Sequence, residues 1–198
     1  MHTVFDILGK YNYKHLYIYS IGSIMPEPHE LYEIEPFADW ENVPVKTMHI
    51  QSADYYFIAM RKNPECVAVN FKGQIDGDFG LNVRIRSPEK EPSNLAPLLK
   101  PVLDGIISSF HKLPENTNID ELTDKGIRLL NSNEDWKRWL RDERKAVLPP
   151  YQYVKQYRSD RLQWSPMDER CKEARLTVEY GADNWSFSGE IYKVTIAD

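Results

Sequence analysis

The sequence is poor in cysteine, and its two cysteines follow no metal-binding pattern. Cys66 and Cys171 lie far apart, and neither a Cys-x-x-Cys motif nor a His-rich spacing accompanies them. Disulfide frameworks and structural zinc sites both need closely spaced sets of such residues. The sequence therefore favours neither, and a reducing cytoplasm is the expected location.

Long apolar segments are also missing. The longest apolar-looking run near the N-terminus, residues 15–25, carries no charged leader before it. It is much shorter than the roughly 20 residues that a membrane-spanning helix needs. We therefore expect no signal peptide and no membrane anchor.

Motifs of the common catalytic loops are absent as well. No Gly-x-Ser-x-Gly elbow occurs, and the stretch GQIDGDFG at residues 73–80 is not followed by the Gly-Lys-Ser/Thr of a phosphate-binding loop. An Asp-Gly hairpin turn explains that stretch more simply. These motifs predict no nucleophilic catalysis, no metal ligand set and no resident cofactor.

Charge is distributed unevenly along the chain. The formal net charge is −5, and residues 1–50 carry seven acidic against three basic residues. Residues 136–161 reverse this balance, with eight basic against three acidic residues. The N-terminal segment should repel phosphate, whereas the basic segment should attract it.

The first half of the chain shows mostly strand patterns. Helical spacing predicts a short helix at residues 4–11, and strands are predicted at 15–21 and, from an apolar run on both faces, at 53–60. Residues 66–73 and 80–87 alternate with period two and are predicted to pair as a hairpin. In the second of these strands the polar side chains should share the face away from the core: Asn82, Arg84 and Arg86.

The second half begins with a strong helical pattern. Residues 94–112, NLAPLLKPVLDGIISSFHK, carry an unbroken apolar stripe at helical spacing and predict the main helix. Two further helices are predicted after Pro114 and after Ser132 or Asn133, and strands return at 174–180 and 185–197. The region between Pro149 and Trp164 shows no clean period, and we expect irregular chain or a short strand there.

These elements predict an α+β fold in a single domain, residues 1–198, with a helical insertion at 115–163. A mixed or antiparallel sheet of about five to six strands should pack against the main amphipathic helix.

The polar stripe of the main helix contains Lys100, Asp104, Ser108 and His111. A solvated face with a Lys100–Asp104 pair is the favoured interpretation. The alternative is a cleft, in which the lysine would hold a phosphate and the aspartate a metal ion.

The basic segment is interleaved with aromatic residues. Rings among cations are typical of surfaces that bind single-stranded or distorted nucleic acid. However, Trp136, Trp139 and Leu140 have helical spacing, which favours burial of the tryptophans in the core. The candidate nucleic-acid-binding residues are Arg84, Arg86, Arg138, Arg141, Arg144 and Lys145.

One order of motifs points to a known family. A strand, VRIRSP, leads into NLAPLLKPVLDGI, and MDERCKEARLTVEY follows the insertion. This order resembles the RusA-type Holliday junction resolvase family. In that family a strand leads into Asp-x-Asp-Asn-x-x-Lys-x-x-x-Asp at a helix start, and a later Asp-Asp pair precedes a strand. The resemblance implies that the aspartates hold magnesium for phosphodiester hydrolysis.

Carried over residue by residue, the motif's lysine and helix aspartate fall on Lys100 and Asp104, and the acidic pair falls on Asp168 and Glu169. The two leading aspartates fall on Asn94 and Ala96, and the motif's asparagine falls on Pro97. The resemblance covers about residues 81–110 and 164–180. It implies a RusA-like scaffold with an eroded metal site, whose candidate catalytic residues are Lys100, Asp104, Asp168 and Glu169.

Three hypotheses follow. The first is a non-catalytic, RusA-like binding module that binds nucleic acid through residues 136–161 and needs no cofactor. The second is a magnesium-dependent, structure-specific endonuclease. The third is a protein-interaction domain that uses the acidic N-terminal surface.

Overall fold

The computed structural model describes residues 5–11, 14–19, 32–45, 52–70, 73–89, 96–130, 135–157 and 161–196. Its helices are α1 (Ala53–Lys62), α2 (Ala96–Ser109), α3 (Ile119–Leu130) and α4 (Trp136–Arg141). Its strands are β1 (Phe5–Tyr11), β2 (Lys14–Tyr19), β3 (Tyr32–Pro44), β4 (Val67–Val69), β5 (Asp78–Ser87), β6 (Val154–Tyr157), β7 (Arg161–Trp164), β8 (Cys171–Tyr180) and β9 (Ser186–Ile196). The predicted α+β class is confirmed.

The described strands form a main sheet of seven and a small sheet of two. The order in the main sheet is β1-β2-β8-β5-β9-β3-β4, and β6 pairs with β7. β5 lies parallel to β8 and antiparallel to β9, so the main sheet is mixed. The chain segment between β5 and β8 contains α2, α3, α4 and the β6–β7 hairpin. The predicted insertion therefore includes a hairpin as well as helices.

One face of the main sheet is covered by helices. Leu81, Val83 and Ile85 of β5 are buried in the main core together with the apolar side of α2. Aromatic contacts join the two layers: the rings of Trp40 and Phe110 lie 5.5 Å apart. The period-two pattern of β5 therefore predicted correctly which of its residues are buried. Its polar residues lie on the opposite face of the sheet, which we call the open face.

A second apolar cluster lies between α1 and the insertion. α1 contributes Tyr56 and Met60 to the main core, but Phe57 and Ile58 to this second cluster, which also includes residues of α4 and β6. α1 and α2 approach closely, since a side chain at Gly105 would collide with the Ala53 carbonyl oxygen. α1 is thus buried on two sides, which explains its apolar sequence.

Three predicted elements of the first half are wrong. Residues 53–60 form helix α1 rather than a central strand, because a helix that is buried on both sides is apolar all round. Residues 4–11 were predicted as a helix, but β1 pairs there with β2. The predicted hairpin is also absent, since β4 pairs with β3, and β5 lies between β8 and β9.

None of the helices in the described part of the chain is both long and apolar enough to cross a membrane.

Candidate functional site

Three of the four candidate catalytic residues meet at one place. Nζ of Lys100 lies 2.9 Å from Oδ1 of Asp104, one turn further along α2, and 3.6 Å from Oδ2 of Asp168. Asp168 stands in a 3-10 turn directly before β8. Two residues from opposite sides of the insertion therefore converge on one ammonium group.

Glu169, the fourth candidate, is exposed in the same 3-10 turn, and no contact joins it to Lys100. Within the described ranges, no three or more His, Cys, Asp or Glu side chains are grouped so that they could hold a metal ion. The contacts of Lys100 with the two aspartates form a Lys–Asp–Asp cluster. We call it the α2 cluster: Lys100, Asp104 and Asp168.

Burial differs sharply within the α2 cluster. The Lys100 side chain is 70% exposed, whereas that of Asp104 is only 9% exposed. Burial raises the pKa of Asp104; the hydrogen bond and charge of Lys100 oppose this rise, and the charge of Asp168 adds to it. Burial acts to lower the pKa of Lys100, but its pairing with the two aspartates outweighs burial, so that this pKa is raised. At neutral pH Lys100 is therefore a cation, and its exposed side chain pairs with the buried carboxylate of Asp104.

The polar stripe predicted for the main helix contains the expected Lys100–Asp104 pair, but it is not a solvated face, and that part of the favoured interpretation is wrong. Asp104, Ser108 and His111 are all buried, and only Lys100 reaches solvent. The reason is that α2 is covered by the sheet on one side and contacts α1 and β7 on others. His111 is held there by Nδ1, which lies 2.7 Å from the carbonyl oxygen of Pro149.

The tryptophans of the basic segment are part of the core, as their helical spacing favoured. Trp136 and Trp139 are buried, and the Trp136 ring stacks on Phe57 of α1 at 6.4 Å. The side chain of Asp135 caps α4 by accepting a hydrogen bond from the backbone N–H of Arg138. These rings therefore hold α4 in place and are not available for stacking on bases.

The four basic candidates of the insertion separate into two pairs. Arg138 and Arg141 are exposed on the outer side of α4. Arg144 donates to the carboxylate of Asp142 from Nε at 2.9 Å and from Nη2 at 2.8 Å, and Nζ of Lys145 donates to the Val67 carbonyl oxygen at 2.6 Å. Lys145 thus occupies a backbone acceptor of the short strand β4. Arg138 and Arg141 are the pair best placed for phosphate.

Arg84 and Arg86 lie on the other side of the molecule. Both point to the open face of the main sheet, where each Nε is 3.5 Å from a carboxylate oxygen of Glu179. The insertion packs behind the helices on the covered face. The structure therefore does not combine these two arginines with α4 into one surface.

The open face also contains a groove that the sequence patterns did not predict. Its volume is about 460 Å³, and it is bounded by polar side chains of four neighbouring strands. The only signal in the sequence was the polar half of each period-two pattern, which does not say which strands are neighbours. Of the acids of β3, Glu33, Glu35 and Glu41 are exposed and Asp39 is half-buried. The predicted role of the acidic N-terminal surface in protein interaction stays a prediction.

The buried carboxylate of Asp104 should reduce stability at neutral pH. Because the pKa of Asp104 is raised from 3.8, its proton is bound more tightly in the folded state, and stability falls as pH rises above 3.8 through the raised value. Asp104→Asn should remove this fall and increase the free energy of unfolding at pH 7 by about 0.5–1 kcal/mol. Urea unfolding between pH 3.5 and 7 measures both effects. Asp168→Asn, at a more exposed carboxylate, is the control; an equal gain from both variants would contradict the argument.

Comparisons with models of protein families, with curated proteins and with solved structures found no match for this chain.

Proposed function

We propose that this chain is a RusA-like binding module that binds nucleic acid without cleaving it. The α2 cluster is the observation that carries the proposal. The family resemblance assigns Lys100, Asp104 and Asp168 to one site, although the insertion separates them in sequence. Their contacts at 2.9 and 3.6 Å support the resemblance.

The chemistry of the cluster favours binding over cleavage. A magnesium ion in such a site needs several oxygen ligands at about 2.0–2.1 Å. Here the ammonium group of Lys100 lies between the two carboxylates and offsets their charge. A divalent cation would have to displace this group or lie beside it, and Asn94 and Ala96 supply no further carboxylates.

Phosphate contacts are assigned to α4. Burial of Trp136 and Trp139 fixes the orientation of this helix, so that Arg138 and Arg141 face solvent side by side, one turn apart. Exposed arginines bind phosphate with release of counterions, which makes the affinity depend on salt. Arg144, which is paired with the carboxylate of Asp142, and Lys145, whose ammonium group is held by the Val67 carbonyl oxygen, contribute less.

Arg138→Gln with Arg141→Gln should weaken DNA binding at low salt about tenfold or more. The slope of log affinity against log salt should decrease by about 2, since each phosphate contact contributes about 1. Fluorescence anisotropy with labelled single-stranded, duplex and four-way-junction DNA measures both quantities.

The matched control is Lys172→Gln with Lys193→Gln, which removes the same charge from strands β8 and β9. This control should keep most of the affinity. Equal losses in both double variants would show that only total charge matters, and unchanged affinity in the α4 variant would refute the assignment.

A magnesium-dependent endonuclease is the second candidate, because Asp104 and Asp168 do converge on one point. In that case Lys100 would bind the scissile phosphate and the two carboxylates would share the metal. Magnesium should then produce DNA cleavage, and Asp104→Asn should abolish cleavage while leaving DNA affinity intact.

A further inference from the structure

The groove on the open face is a second polar site, separate from the α2 cluster and from α4. It is an open cleft of about 460 Å³, a size that suits a small ligand. Four strands provide its polar lining side chains: Asp39 and Glu41 from β3, Asn82 and Arg84 from β5, Arg175 and Thr177 from β8, and Ser188 and Glu190 from β9.

Strand register arranges these side chains in two rows. Asn82 pairs with Arg175 on β8 and with Glu190 on β9, and Glu190 pairs in turn with Asp39 on β3. Two residues further along β5, Arg84 pairs with Thr177 and with Ser188. Same-face rows that are two residues apart are separated by about 7 Å along the strands, and neighbouring strands by about 4.8 Å.

The second row consists of hydrogen-bond donors. Arg84 is flanked by two hydroxyl groups, and its side chain is 56% exposed. The hydroxyl oxygen of Ser188 accepts the backbone N–H of Asn42 at 3.0 Å, so its own proton is directed elsewhere. The guanidinium of Arg84 has one carboxylate near Nε, at 3.5 Å from Glu179, and its planar fork suits a second carboxylate. This row fits an anionic group.

The first row is rich in acceptors at its β9–β3 end. Glu190 accepts a hydrogen bond from Nδ2 of Asn82 at 2.6 Å, and Asp39 accepts one from Nδ2 of Asn70 at 3.0 Å. Both donors are neutral amides, so neither cancels the carboxylate charge. This end fits a cationic group with several N–H donors, such as an ammonium.

We propose that the groove binds a small zwitterion whose two charges are about 8 Å apart, two residues along the strands and one strand across, of the size of an unblocked dipeptide or an ω-amino acid. The carboxylate of the ligand lies on Arg84 between Thr177 and Ser188. The ammonium lies on Glu190, with Asp39 on the neighbouring strand beyond it. The arrangement is a binding site only; no residue in it is placed to react.

Charge complementarity selects this class of ligand. The open face carries more acids than bases around the groove. Five acids, Asp39, Glu41, Glu173, Glu179 and Glu190, accompany three arginines, Arg84, Arg86 and Arg175. A polyanion such as nucleic acid would meet these carboxylates. A zwitterion can instead place each end on the row of opposite character.

Isothermal titration of the full chain with the dipeptide Ala-Ala, and separately with 6-aminohexanoate, tests the proposal. At least one probe should bind with a dissociation constant of about 1 mM or tighter. The N-acetylated dipeptide and the C-amidated dipeptide should each bind at least about tenfold more weakly, because each lacks one charge. A preference for one of the two probes shows whether the ligand of the groove is a dipeptide or an ω-amino acid.

Two variants locate the site. Arg84→Gln and Glu190→Gln should each weaken binding of the preferred probe by about 10- to 100-fold. Lys172→Gln, an exposed change outside the groove, should leave it unchanged, and circular dichroism should confirm that all three variants are folded. No binding by either probe, equal binding of blocked and unblocked dipeptides, or full affinity in both groove variants would each overturn the proposal.

Discussion

Replacement of Trp136 by alanine is expected to lower the free energy of unfolding by about 3–5 kcal/mol, the range for deleting a large buried aromatic side chain. Trp136 is fully buried, stacks on Phe57 at 6.4 Å and meets Trp139 edge-on at 6.1 Å. Its ring joins α4 to α1, so the cavity left by alanine would lie where the insertion contacts the rest of the fold. Denaturant unfolding monitored by circular dichroism measures the loss.

Two matched changes complete this experiment. Trp136→Phe should cost clearly less than alanine, because the indole N–H has no hydrogen-bond partner among the described residues and most of the ring volume is kept. Ile127→Ala, at a 42% exposed position of α3, should stay within about 0.5 kcal/mol of wild type. A Trp136→Ala chain of normal stability that had lost affinity for DNA would instead assign the ring to base stacking.

Stability should also fall by about 3 kcal/mol between pH 6.5 and pH 4 because of His111. Burial lowers the pKa of His111 from 6.5 to about 4; the hydrogen bond to Pro149 opposes the shift, and the charge of Arg61 adds to it. In this pH window the unfolded chain binds a proton that the folded chain does not bind, so acid favours unfolding. The full contribution is present above pH 6.5 and is lost as pH approaches 4.

His111→Asn isolates this effect. The side-chain amide of asparagine can still donate to the Pro149 carbonyl oxygen, but it does not titrate. Urea unfolding at pH 7, 6, 5 and 4 should therefore give a much flatter profile for the variant than for wild type. Parallel profiles would show that other groups cause the acid sensitivity.

Local periodicity predicted the elements that have one apolar face. The stripe in residues 94–112 gave α2, and the spacing of Trp136, Trp139 and Leu140 gave both α4 and its buried side. It failed at residues 53–60, because α1 is covered by the main core on one side and by the insertion on the other. A segment buried on both sides has no polar period, and its length alone did not distinguish helix from strand.

Strand partners were harder to predict than strands. Alternation in residues 66–73 and 80–87 predicted two strands, and the structure has β4 at Val67–Val69 and β5 at Asp78–Ser87. Adjacency in sequence suggested a hairpin that does not form. Instead β5 pairs with β8 and β9, which come from the far end of the chain. Alternation reports which face of a strand is buried and contains no information about its neighbours.

The two candidate sites differ in the same way: the α2 cluster could be predicted from the sequence, but the groove depends on which strands are neighbours. Lys100, Asp104 and Asp168 could be grouped from the sequence, because a family motif links their positions. The groove could not, since its two rows exist only when four strands lie in the observed order and register. Arg84 was therefore predicted to bind nucleic acid on the basis of its charge alone. In the structure it lies beside Glu179 and Ser188.

The most direct test of a RusA-like module that binds without cleaving uses the unmodified chain and a labelled four-way DNA junction. Fluorescence anisotropy is recorded at low and physiological salt, with and without magnesium, and each mixture is then run on a denaturing gel. The proposed function predicts salt-sensitive binding with the junction intact in every lane. Magnesium-dependent cleavage, or the absence of binding at low salt, would contradict it.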